Sequence, residues 1–128
     1  DLLVELQGVQ RRIAAGQVHV ADAGGIQGFI VFYPVGDAVL LENVAVMPSA
    51  AGLGIRKALI AFCEGRARDH GARAVQLYTN EKMVENLSIY PRLGYVETAR
   101  RTEDGFSRVY FEKVLRPAPD PYTRASDM

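Results

Sequence analysis

The sequence predicts an α/β domain: a mixed, mostly antiparallel sheet flanked by helices. Three observations carry that prediction. Segments rich in Val, Ile, Leu, Phe and Tyr alternate with glycine and proline punctuation through the first half of the chain. Near Ile55 the hydrophobic period changes from that of strands to that of a helix. Another strand-like segment follows, and the helix before it permits a parallel crossover back into the sheet. The 128 residues suffice for a single domain that buries about two-thirds of the surface its unfolded chain exposes.

The elements follow in order. Leu2, Leu6, Val9 and Ile13 recur at helical spacing, so a first helix is expected to end before Gly16. Gln17 to Ala23, Gln27 to Tyr33 and Ala38 to Met47 read as three antiparallel strands, broken at Gly24-Gly25 and at Pro34 to Asp37. Ile55, Ala58, Leu59, Phe62 and Cys63 form the stripe of an amphipathic helix that runs to about Asp69 and stops before Gly71. Arg73 to Thr79 reads as the next strand. Met83, Leu87 and Tyr90 suggest a short helix, limited by the missing N–H of Pro91. Tyr95 to Arg101 and Phe106 to Leu115 form a hairpin around Glu103-Asp104-Gly105. The domain is thus expected over residues 1–115, with 116–128 and their three prolines as a tail.

Composition excludes several function classes. Fifteen basic and fifteen acidic residues balance, which argues against the uniformly basic surface of a nucleic-acid binder. One Cys forms no internal disulfide, and two distant histidines with scattered carboxylates show no metal-ligand spacing, so no metal is expected. No apolar run approaches the roughly 18 to 20 residues that span a bilayer, and no signal peptide is visible. A cytoplasmic protein without a membrane partner is expected.

The zero total charge conceals a pattern. Residues 1–50 carry a net −3, residues 51–75 a net +3, and the remainder balances. The basic segment includes the most informative stretch of the chain, Val46-Met47-Pro48-Ser49-Ala50-Ala51-Gly52-Leu53-Gly54-Ile55-Arg56-Lys57. A strand ends, a loop of small residues follows, and a strong helix opens at the glycines. Small residues let a ligand approach the backbone, and the unpaired N–H groups of a helix start favour a phosphate. By themselves, Gly52 and Gly54 fit a tight turn equally well. A dinucleotide fingerprint would need a third glycine where Lys57 stands, and a Walker loop would need Gly-Lys-Ser/Thr; neither is present.

This stretch resembles the pyrophosphate loop of the GNAT superfamily of acyl-CoA-dependent N-acetyltransferases. That loop follows Val-x-Pro with Gln/Arg-x-x-Gly-x-Gly/Ala, positions that fall here on Ala51, Gly52, Leu53, Gly54, Ile55 and Arg56. Gly54 matches, whereas Ala51 and Arg56 depart from the pattern. The second departure places a long cation beside the expected pyrophosphate, where it either pairs with a phosphate or crowds the site. Shifting the frame by two would restore a small last residue but would break the spacing to Pro48 and Ala58-Leu59.

A second matching set lies downstream. Asn86, Tyr90, Gly94 and Tyr95 fill the family's pattern of Asn, Tyr four residues later, then Gly and an aromatic. The resemblance extends from the first helix to Leu115. It implies acetyl-CoA as co-substrate, an amine acceptor, and direct attack in a ternary complex. It further implies that Tyr90 protonates the CoA sulfur and that Asn86 binds the cofactor. The backbone of Val44 to Val46 would pair with pantetheine, the loop residues and Lys57 would line the phosphates, and an acidic strand residue, here Glu42, would take the amine proton. Strand alternation places Glu42 on the face of Val44 and Val46.

Simpler roles stand beside these. Tyr90 also fits a core position, Asn86 an N-cap, and Glu42 a solvated strand residue. His19 and His70 read as surface or helix-terminal residues, Cys63 as a small buried hydrophobe, and Arg100-Arg101 as compensated by Glu103-Asp104. The family's first strand and first helix are expected to be missing from these 128 residues, so that further residues precede Asp1. A non-catalytic acyl-CoA-binding module is the alternative function, and a late strand could pair two copies across a two-fold axis.

Overall fold

The structure is a computed structural model that describes residues 17–22 and 24–115. The expected opening helix and the tail 116–128 lie outside the described residues. Six strands form one sheet: β1 (Val18–Asp22), β2 (Ile26–Val35), β3 (Ala38–Val46), β4 (Ala74–Asn80), β5 (Val96–Glu103) and β6 (Phe106–Val114). Their order is β1-β2-β3-β4-β6-β5, and only β3 and β4 run parallel. Helix α1 (Ile55–Asp69) makes the crossover between those two strands, and α2 (Val84–Arg92) links β4 to β5.

The β2–β3 hairpin is longer than the sequence suggested, because Pro34 pairs with Val39 inside it instead of belonging to the turn. Among the described residues, the pairing of β1 with β2 runs from Val18↔Val31 to Asp22↔Ile26 and gives Pro34 no partner on that side of β2. There the missing N–H of proline breaks no ladder bond.

The main core lies between α1 and one face of the sheet. Ile30, Phe32, Val39, Leu41, Val75, Leu77, Val109 and Phe111 bury that face against Leu59, Ile60, Cys63 and Ala67 of the helix. The expected helical stripe is rotated. Ile60 is buried in place of Ala58, which is exposed, and Phe62 turns toward His19 and the Arg66 guanidinium. On another face of α1, buried Glu64 accepts from the Tyr95 hydroxyl at 2.9 Å and the Lys113 ammonium at 3.0 Å, pinning the helix to β6.

Two irregularities interrupt the regular sheet. Val31 pairs with Asn43 but Phe32 with Leu41, so Glu42 is the extra residue of a β-bulge, a feature that bends and twists a strand. The parallel pairing of β3 and β4 is limited to Val39↔Val75 and Leu40↔Gln76. Past that point β3 keeps β2 on one side, has no strand on the other, and diverges from β4.

Candidate functional site

The divergence of β3 from β4 opens a cleft of about 340 Å³. On its walls lie five residues singled out in the sequence: Glu42, Val44, Arg56, Asn86 and Tyr90. They come from β3, the first turn of α1, and α2, elements that only this topology brings together. Val46, Ala51, Gly52, Leu53, Gly54, Ile55 and Lys57 do not line the cavity. They belong to the end of β3, the loop and the start of α1.

The loop is short and open. Met47 leads into a single 3-10 turn, Pro48–Ala50, and Ala51 to Gly54 are exposed. Gly54 is the N-cap of α1 at φ 75°, a left-handed conformation that glycine adopts freely. The helix has no side-chain cap and no acidic residue in its first turn. Its first N–H groups therefore lack intrahelical acceptors and keep a partial positive charge.

Arg56 neither crowds the loop nor points outward. Its guanidinium donates to the Asn86 side-chain oxygen at 3.1 Å, and the Asn86 amide donates to Thr79 Oγ1 at 3.0 Å. Three elements, α1, α2 and β4, thus meet at one polar cluster on the cleft wall. Asn86 is not the N-cap of α2; Met83 holds that place. Thr79 carried no mark in the sequence, since a threonine in a strand is ordinary.

Tyr90 is 3% exposed, its ring edge-on to Tyr95 at 5.5 Å and tilted to Phe111 at 5.9 Å. The helix end explains the spacing from Tyr90 to Gly94 and Tyr95. The Tyr95 N–H donates to the Tyr90 carbonyl at 3.0 Å and the Gly94 N–H to the Pro91 carbonyl at 3.1 Å. This is a Schellman arrangement, which needs a left-handed residue after the cap and brings the two flanking side chains into contact. Gly94 has φ 95°. Burial raises the Tyr90 phenol above its ordinary pKa, against a smaller lowering by Arg56. It remains neutral, with a proton to give, through the physiological range.

The bulge corrects the expectation for Glu42. Leu41 pairs with Phe32 and Val44 with Ile30, all on the core side. Leu41 and Val44 share a face although three residues apart, and the extra residue Glu42 does not follow the alternation of Val44 and Val46. Its exposed side chain lies on the cleft wall.

Other sequence readings fare differently. Cys63 is fully buried, and its thiol is pushed up to about 12 by that burial and by Glu64. His70 closes α1, with Nδ1 2.9 Å from the Arg66 carbonyl. His19 is no free surface residue: it stacks on Phe32 at 5.0 Å and meets Phe62 at 4.9 Å, and burial, then Arg66, lowers its pKa. Arg100 pairs with Glu97, not with the turn acids, and Glu103 bonds Arg108 and Tyr110. Among the described residues no group of three or more His, Cys, Asp or Glu could hold a metal. No described helix is long and apolar enough to cross a membrane.

Gly28 was missed altogether. A Cβ there would lie 2.6 Å from the Ala45 carbonyl oxygen and 3.3 Å from Ile55 and Leu59. The start of α1 can lie this close to the sheet only because β2 has no side chain at that point. The available signal was a lone glycine within a strand pattern, which marks a close approach.

A family model described as acetyltransferase (GNAT) domain matches residues 14–97, well over half the chain. The chain belongs to the GNAT acetyltransferase family. Its fold is similar to Ard1 from Thermoplasma volcanium, at 20% identity and TM-score 0.74 over 87% of this chain and 78% of that one. It is also similar to ribosomal-protein-alanine N-acetyltransferase from Brucella melitensis, at 21% identity and TM-score 0.73 over 90% and 79% of the two chains. A Bacillus anthracis protein described as a streptothricin acetyltransferase, solved with acetyl coenzyme A, matches at 20% identity and TM-score 0.71 over 77% and 62%. This GNAT chain likewise covers 62% of a nourseothricin acetyltransferase. No curated protein sequence matches it. Such identities establish the shared fold, the mixed six-stranded sheet with two helices described above.

Proposed function

We propose that this GNAT domain transfers an acetyl group from acetyl-CoA to a primary amine of a small molecule or peptide, by direct attack in a ternary complex. The observation that carries this reading is the cleft, which places Tyr90, Asn86 and Glu42 around the unpaired edge of β3. The residues present suit the co-substrate. The uncapped start of α1, with the N–H groups of Gly52 and of Gly54 to Lys57, offers donors to a pyrophosphate. The open edge beyond Leu40 leaves the Val44 to Val46 backbone able to pair with an amide-bearing arm as a strand would.

In the transfer, a C–N bond forms while the thioester C–S bond breaks. Glu42 takes the proton of the attacking amine, directly or through water. A backbone N–H of the β3 edge stabilises the oxyanion, and Tyr90 gives its proton to the departing sulfur. Burial keeps that proton on Tyr90 until it is needed. Asn86, held by Arg56 and Thr79, is positioned to contact the CoA arm.

The exposed place of Glu42 on the bulge, which also suits a solvated carboxylate with no role as a base, favours one second reading, a non-catalytic module that holds acyl-CoA. Calorimetric titration with acetyl-CoA, followed by free-thiol release with an amine panel, separates the two. Binding with amine-dependent thiol release supports transfer. Binding without it supports the module, and no binding at millimolar acetyl-CoA overturns both. The cytoplasm is the compartment we propose. The edge strand β5 could pair two copies into a homodimer.

A further inference from the structure

The cleft between β3 and β4 is lined from both faces of the sheet, by Leu77 and Tyr90 on the α1 side and by Tyr78, Phe106 and Arg108 on the other. The glycine loop leads into α1, so the co-substrate takes the face that α1 covers. An acceptor must then reach the thioester from the opposite face. The β6 alternation shows what it meets there. Val109 and Phe111 are buried toward α1, so Phe106, Arg108 and Tyr110 project from the far side.

That side carries an unusual charge arrangement. Register places Arg101 of β5 directly opposite Arg108 of β6, a like-charge cross-strand pair of the kind that ordinarily destabilises a sheet. The two cations flank a ladder of rings. Arg108 lies over Tyr78 at 4.8 Å, Tyr78 is 5.5 Å from Tyr110, and Arg101 lies over Tyr110 at 5.0 Å. Of the two cations, Arg108 has a carboxylate partner: Glu103 receives one Arg108 N–H at 3.3 Å and also accepts the Tyr110 hydroxyl at 2.8 Å. Arg108 thus gives one N–H to a carboxylate that a phenol also occupies, and its guanidinium fork carries further N–H donors. The Arg108 side chain is 28% exposed, so it is partly desolvated, a condition that strengthens its attraction for an anion.

Arg108, Tyr78 and Phe106 line the cleft, and Glu42 is the one acid among the described residues on its walls. Phe106 and Tyr78 remain 54% and 43% exposed, an apolar surface between the cation and the acid. We infer that the acceptor is a primary amine that also bears a carboxylate and an apolar body, its amine directed to Glu42 and its carboxylate to Arg108. The inference rests on the proposed transfer reading and names its substrate class.

Phenylalanine and phenylalaninamide, which differ in the carboxylate, are suitable acceptors for the test. With wild-type protein and acetyl-CoA the acid is expected to show kcat/KM at least about tenfold above the amide, the worth of one charge-assisted hydrogen bond. Arg108→Gln is expected to bring the two within about threefold and to leave the acetyl-CoA dissociation constant unchanged; Arg108→Lys, which keeps the charge, gives an intermediate ratio. Acetylation of both amines by the wild type at equal, measurable rates, or a preference that survives Arg108→Gln, would overturn the inference. Calorimetric binding of N-acetylphenylalanine against N-acetylphenylalaninamide, with CoA present, needs no turnover. A preference there that Arg108→Gln abolishes supports the carboxylate site even if neither amine is acetylated, in which case the transfer reading alone fails. No preference in binding and none in turnover overturns the carboxylate site and leaves transfer to be judged by thiol release.

Discussion

The Arg56 guanidinium and the Asn86 side-chain oxygen meet at 3.1 Å across thirty residues of sequence. The contact joins the first turn of α1 to α2, and so joins the two stretches singled out in the sequence. A part-buried hydrogen bond of this kind contributes about 0.5–1.5 kcal/mol. Arg56→Ala, Asn86→Ala and the double variant, compared by urea denaturation, should therefore show a coupling energy in that range. Strict additivity would mean that the bond contributes nothing in solution.

Gly28 and Gly65 make a matched contrast. At Gly28 a methyl group would press on the Ala45 carbonyl at 2.6 Å and on Ile55 and Leu59 at 3.3 Å, whereas at Gly65, inside α1, it would meet nothing within 4 Å. Gly28→Ala should cost about 1–3 kcal/mol through overpacking. Gly65→Ala should add up to about 1 kcal/mol through helix propensity. Because Ile55 opens α1, Gly28→Ala should also displace the glycine loop and weaken acetyl-CoA binding, while Gly65→Ala should not. Unchanged stability and affinity in Gly28→Ala would show that the strand and helix part without consequence.

The outline of the fold was legible because each element carried its own periodic signal and punctuation. Ile55, Leu59 and Cys63 mark a helix, and Gly71 after Asp69 marks where it ends. Legibility failed where position depends on a partner. Nothing around Glu42 distinguishes a bulged strand from a regular one; the bulge exists because β2 and β3 pair in two registers on either side of it. The contact of Arg56 with Asn86 depends on how α1 and α2 sit on the sheet, and the opposition of Arg101 to Arg108 on hairpin register. Side-chain type suggested candidates for the cleft, but only the tertiary arrangement brought Thr79 and Arg108 to it.

Three buried groups set the alkaline limit of stability. Burial pushes Cys63 up to about 12 and raises Tyr90 and Tyr95, the last also through Glu64. In the unfolded chain a thiol ionises near pH 9 and a phenol near 10. Above those values the unfolded state has lost protons that the folded state keeps, so stability must fall as pH rises. Urea denaturation should find little dependence on these groups below about pH 8.5, then a decline approaching about 1.4 kcal/mol per pH unit for each group. Cys63→Ala should flatten the first part of that decline, between about pH 9 and 10. Stability that holds level to pH 10.5 would contradict the burial of all three.

Glu64 provides a test of the pinning of α1. Its side chain is 9% exposed and accepts from both Lys113 and Tyr95. Lys113→Met leaves the carboxylate with Tyr95 alone and should cost about 2–3 kcal/mol. Combining it with Glu64→Gln removes the unpaired charge while keeping an acceptor for Tyr95, and should recover at least half of that loss. A double variant less stable than Lys113→Met would show that the ion pair is not what penalises the single change.

Tyr90 bears most directly on chemistry. Its ring is held by Tyr95 and Phe111, so Tyr90→Phe keeps the packing and removes only the hydroxyl. If that hydroxyl protonates the departing sulfur, kcat should fall by roughly 10²–10⁴, the usual contribution of a general acid. The acetyl-CoA dissociation constant should stay within about twofold, since a hydroxyl that acts in the transition state adds little to ground-state binding. The pH profile adds a second readout. With the phenol raised by burial, wild-type kcat should show no alkaline loss from this group below pH 10, because ionisation, which would remove the donor, is displaced upward. A kcat for Tyr90→Phe equal to wild type would remove Tyr90 from the acid role and leave the leaving sulfur to be protonated by solvent.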